Sequence, residues 1–105
     1  MADNELLKFA GIAFTHKSKN LMVNGWDPLN NQSEAMKLKE SLNIGLREYE
    51  EELTAPRFAS ACYEDEDGYL HWFHEQNPNI DGQIDGVVRR VIVKAAADMG
   101  KKITA

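Results

Sequence analysis

The sequence has a single cysteine, Cys62, so no disulfide can close within the chain and a reducing compartment fits it. No stretch approaches the roughly 20 apolar residues needed to cross a bilayer. The first twenty residues, which include Asp3, Glu5, Lys8 and Gly11, lack the apolar run of a secretory signal. The expectation is a cytoplasmic protein with no membrane partner. Positive charge is also short: 12 Lys and Arg face 17 Asp and Glu, a net charge of −5. Such a surface repels a phosphate backbone, which excludes bulk nucleic-acid binding.

Several catalytic signatures are missing too. "DGQIDG" (81–86) lacks the Gly-Lys-Ser/Thr ending of a phosphate loop, and no nucleophile elbow surrounds Ser60. His71 and His74 are three apart on an expected strand, which sends them to opposite faces, and His16 lies far away in sequence. No metal site and no cofactor are expected.

What remains is an ordinary globular composition, 43% apolar and 28% charged, at a length that suits one domain. Apolar residues at helical spacing (Leu6, Leu7, Ala10, Ala13, Phe14) predict a helix from Glu5 to about Phe14, capped by Asn4, followed by a polar loop over 15–24. Asp27-Pro28 predicts a short helical turn. Asn31 with Glu34 three residues on predicts a capped second helix to about Leu42, burying Ala35, Leu38 and Leu42.

Alternating residues then predict strands over 44–49, 57–63 and 69–74. The block Glu50–Glu52 and the breaker Thr54-Ala55-Pro56 separate the first two, and an acidic hairpin loop (64–68) joins the last two, with Gly68 supplying positive φ. Cys62 is expected opposite Leu70 or His71, and Phe14, Phe58, Leu70 and Phe73 are expected in the core. After a turn at 76–79, Asp81 or Asp85 is expected to cap a last helix. Its buried stripe is Ile84, Val88, Val91, Ile92, Ala95 and Met99, and Gly100 is expected to close it. The order ααβββα reads as an α+β fold: a small antiparallel sheet of three or four strands packed with helices, an α-β-α sandwich. One domain covers 1–105, with an N-terminal helix and loop over 1–24 and the sandwich core over 25–102.

Three pieces carry a family resemblance: "GWDPLNNQSEAMKL" (25–38), "LNIGLREYE" (42–50) and "DGVVRRVIVKAAADMGKK" (85–102). The first resembles the Trp-Asn-Pro-Leu opening of the phage ABA sandwich domain family. The last resembles that family's closing Arg-Arg-x-Ile-Val-x-Ala-Ala-Ala helix. Asp27, where Asn is common, and Glu50–Glu52 depart from the pattern. The resemblance implies an α/β sandwich from a phage or prophage, acting as a small accessory protein in the host cytoplasm. It assigns no catalytic residues.

The expected function is therefore non-enzymatic binding, sharpest as counter-defence by sequestering a host nucleotide immune signal. Arg89, Arg90 and Lys94, with Arg57 at a strand start, form the candidate phosphate clamp, because planar guanidinium groups give bidentate contacts. Trp26 and Trp72 are the candidate stacking surfaces. The bland alternatives are a solvated basic helix face and, for Trp26, a ring that seats its loop on the core. A protein-binding module that inhibits a host or viral protein is the main rival, and a virion component is another. An enzyme would need Cys62 or a histidine within reach of Asp65 or Asp67. Large aromatics on both sheet faces predict that both are covered, which favours a homodimer.

Overall fold

A computed structural model describes residues 2–19, 21–49, 58–76 and 84–105. Its elements are α1 (Asp3–Ser18), α2 (Gln32–Ser41), β1 (Gly45–Tyr49), β2 (Phe58–Glu64), β3 (Leu70–Gln76) and α3 (Ile84–Thr104). The class is the expected α+β in the expected order, with one antiparallel three-stranded sheet ordered β1-β2-β3. The breaker at 54–56, the Glu50–Glu52 block, Arg57, Asp81 and Gly82 lie outside the described residues.

The helices differ in detail from the sequence expectation. Ala2, not Asn4, precedes α1, and it makes no side-chain cap. The helix continues four residues past Phe14, through a stretch expected to be loop. Thr15 Oγ1 donates to the Gly11 carbonyl at 2.9 Å, and the Ser18 hydroxyl donates to the Phe14 carbonyl. These back-bonds let polar side chains sit in the last helical turn. The α2 start is as expected, with Asn31 Oδ1 accepting from the Glu34 N–H at 3.0 Å. Glu34, however, reaches past its own cap and accepts from the Asp27 N–H at 2.5 Å, tying the Asp-Pro turn to the helix.

The strand register places Gly45, Arg47, Ser60, Cys62, Glu64, Leu70, Trp72 and His74 on one face. Ala59, Ala61, Tyr63, His71, Phe73 and Glu75 occupy the other, and α3 packs on them. Two expectations fail by this register. Cys62 sits opposite Trp72, and Leu70, whose parity is opposite that of Phe73, is 56% exposed rather than in the core. Gly68 does take φ +86° in the hairpin loop.

α3 is the centre of the molecule. Val88, Val91, Ile92, Ala95 and Met99 are buried as expected, but so are Val93, Ala96 and Ala97 on the remaining side. The second buried side exists because α1 and α2 pack on α3 rather than on the sheet. The layers among the described residues run sheet, α3, α1. Gly100 does not end the helix, which runs on to Thr104. It marks the helix crossing: a Cβ there would lie 1.8 Å from the Phe9 carbonyl oxygen.

Candidate functional site

The residues expected to form a phosphate clamp are built into intrachain contacts in different places. Arg89 Nε donates to the Leu29 carbonyl at 2.9 Å and its Nη1 to Gln32 Oε1 at 3.1 Å, so this guanidinium holds the turn before α2 against α3. Arg90 reaches the other way, to Asp3 Oδ1 at 2.9 Å and Glu75 Oε1 at 3.5 Å. Lys94, one turn on and on the same ridge, pairs with Glu75 Oε2. Trp26 is half-buried and stacks on Phe14 of α1, with centroids 5.4 Å apart and planes 15° apart. It anchors the loop before α2 to α1. Arg57 lies outside the described residues. The convergence of Arg89, Arg90, Lys94 and Trp26 on one cleft is not present.

Trp72 stands elsewhere, on the outer face of the sheet, and is 40% exposed. The Arg47 guanidinium reaches across β2 to within 5.4 Å of its ring centre, and the His74 ring lies parallel within 4° at 6.4 Å. Small side chains on the central strand, Ser60 and Cys62, leave the space for this crossing. Ser60 Oγ is hydrogen-bonded to His74 Nδ1 at 2.5 Å. The residue is only 1% exposed, which keeps Oγ out of reach of an acyl carbon and makes this a structural pair rather than a nucleophile and base. Among the described residues no helix packs on this face.

A second constellation lies at the other side of the sheet, where the hairpin meets the end of α3. Lys102 Nζ donates to Tyr63 Oη at 2.8 Å and lies 3.3 Å from both Asp98 Oδ2 and His71 Nδ1. Tyr63 Oη donates to Asp98 Oδ2 at 2.5 Å. His71 Nε2 donates to Asp65 Oδ2 at 2.7 Å, and the Tyr63 and His71 rings stack at 4.8 Å. Both ring nitrogens of His71 are thus engaged within the chain, Nε2 by Asp65 and Nδ1 by Lys102.

The electrostatics follow from these contacts. Burial, then the hydrogen bond to Asp98, raises the Tyr63 phenol above its ordinary value. The bond from His71, with the Tyr69 N–H, lowers the Asp65 carboxyl. The bond to Tyr63 raises the Lys102 ammonium. A cavity of about 310 Å³ opens beside this chain, lined by Lys17, Tyr63, Asp65, Met99, Lys102 and Ile103 among others. An enzyme would use Cys62 or a histidine within reach of Asp65 or Asp67; His71 lies within reach of Asp65, and Cys62 is on the opposite face from His71. A phenol pushed up and a lysine pushed up are groups held in their resting protonation states, opposite to the lowered values that activate a nucleophile or a base.

The sequence reading missed this chain of contacts. Its signals were present: a hairpin loop over 65–69 places Tyr63 opposite His71, and Asp98 and Lys102 are four apart on one helix. Among the described residues there is no cluster of three or more His, Cys, Asp or Glu that could hold a metal, and no helix long and apolar enough to cross a membrane. Comparison of the chain with known protein families, curated proteins and solved structures found no match.

Proposed function

We propose that the protein acts by binding another protein through the outer face of its sheet. The observation that carries this reading is the open position of Trp72, 40% exposed beside Leu70 at 56%, on a face that the helices do not cover. Trp and Arg dominate the energetics of protein interfaces, and here Arg47 lies over the Trp72 ring with His74 alongside. Arg89, Arg90 and Lys94 of α3, in contrast, already hold carboxylates and carbonyls of their own chain. On the resemblance to phage accessory domains, the partner is a host or viral protein met in the host cytoplasm, and the outcome is its inhibition.

The test is a photo-crosslinking amino acid placed at position 72, with position 37 on the exposed side of α2 as control. Discrete protein adducts from position 72 alone support the reading. Identical backgrounds from both positions overturn it.

Sequestration of a nucleotide signal is the second reading, favoured by the same geometry: a planar cation beside an aromatic face is a stacking and phosphate-binding pair. Native mass spectrometry of protein taken from defence-carrying cells separates the two. A retained small molecule that is lost in Trp72→Ala supports the nucleotide.

A further inference from the structure

β3 is an edge strand of the described sheet, and its one carboxylate, Glu75, is taken up by Arg90 and Lys94 of its own chain. Its seven residues, Leu70 to Gln76, include no proline and no lysine, and they pair with β2 in unbroken register without a bulge. The other edge, β1, is shorter and carries Arg47 and Glu48.

The free hydrogen-bonding groups of β3 can be assigned. The Asp65 N–H donates to the Tyr69 carbonyl at 2.9 Å, which makes that opposed couple a bonded pair. Bonded and non-bonded pairs alternate along an antiparallel ladder, so His71, Phe73 and Glu75 bond to β2. The backbone groups of Leu70, Trp72, His74 and Gln76 therefore point away from β2, toward the open edge.

We infer that β3 pairs antiparallel with β3 of a second copy, about a twofold axis at Phe73, to make one continuous sheet of six strands. Two independent features select that register. Phe73 is the midpoint of Leu70–Gln76, so the whole strand overlaps. Trp72 then falls opposite His74 of the other copy, and Leu70 opposite Gln76. All four have outward backbone groups, as bonded pairs require. On the helix-facing side position 71 comes opposite position 75, twice by symmetry. Moving the axis by half a residue either way opposes an outward residue to an inward one and loses the hydrogen bonds. A full-residue move shortens the overlap.

Trp72 and His74 already stack within one strand. The pairing joins two such couples into one aromatic row across the outer face. This assembly goes beyond the proposed function and does not rest on it, since the outer face stays open in either state.

The test uses the full chain. Light scattering or sedimentation is expected to give twice the 11.9 kDa chain mass at micromolar concentration. His74→Pro removes an outward N–H along with the Ser60 hydrogen bond, whereas His74→Ala removes only the side chain, so the proline should weaken dimerisation on the order of tenfold or more beyond the alanine while the two variants share one circular dichroism spectrum. Trp72→Lys charges the same edge without altering the backbone and should act alike. For register, His71→Cys and a tagged Glu75→Cys, both in a Cys62→Ser background, are mixed and oxidised. A disulfide-linked heterodimer is expected from the mixture, with little from either protein alone.

A monomeric wild type, or a dimer that survives both His74→Pro and Trp72→Lys, overturns the inference. So does cross-linking of either cysteine variant to itself as readily as to the other. Adducts from position 72 in a monomeric wild type would sink the dimer and keep the binding function.

Discussion

Gly100 of α3 and Phe9 of α1 meet backbone to backbone, so closely that a Cβ on Gly100 would stand 1.8 Å from the Phe9 carbonyl oxygen. Residues of both helices around this point are buried, including Leu6, Ala10, Ala96 and Ala97. The crossing is made of small side chains because the two backbones share the space that larger ones would need.

Gly100→Ala is therefore expected to cost more than about 2 kcal/mol, because α1 must move off the helix it covers. Gly86→Ala in the same helix is the control. Its nearest neighbour would be Arg89 Nη2 at 3.6 Å, an ordinary contact. That change should be neutral or stabilising by up to about 1 kcal/mol, from helix propensity. Urea unfolding of the two variants checks the contrast.

The adjacent arginines should behave differently. Arg89 clamps the Leu29 carbonyl and Gln32, and Arg89→Ala is expected to cost about 1–2 kcal/mol. Arg90 pairs with an exposed Asp3, and Arg90→Ala is expected to cost less than about 1 kcal/mol. Equal losses in thermal unfolding would contradict the division of roles.

Tyr63 should ionise above the ordinary tyrosine range. Its folded-state value lies above the ordinary 10.0, so the folded form holds its proton where the unfolded form has released it. That contribution to stability is complete below pH 10.0 and is lost as pH rises through the folded value. An ultraviolet phenolate titration should show one late step, absent in Tyr63→Phe, and the alkaline decline in stability should be shallower in that variant.

Asp65 carries the opposite sign. Its folded value is depressed below the ordinary 3.8 by the bond from His71 and the Tyr69 N–H. Its contribution is present above that value and is lost as pH falls through the folded one. Asp65→Asn should lower stability at neutral pH and flatten the acid limb below pH 3.8, measured by urea unfolding across pH.

Local sequence carried much of the fold. The cap at Asn31, the parity of each strand and the α3 stripe all follow from short-range spacing. What depends on distant partners was hidden. Gly100 reads as a helix stop in one dimension, and only the crossing with α1 shows it as a point of contact. Leu70 reads as core by its chemistry, while its parity places it outside. The basic ridge of Arg90 and Lys94 was legible as a ridge, but its acceptor, Glu75, comes from a strand 15 or more residues away. Trp26 reads as a hook or a platform, and its stack on Phe14 is the contact a hook makes.

The burial of α3 on nearly every side has a consequence for synthesis. Each described element it touches precedes it in the chain, so a ribosome releases α1, α2 and the strands before the element that unites them. Until α3 emerges, Leu6, Phe14, Leu38 and Ala61 have no shared interior to enter. The nascent chain must be kept apart from its neighbours, by chaperones or by speed, and then condense in one late step.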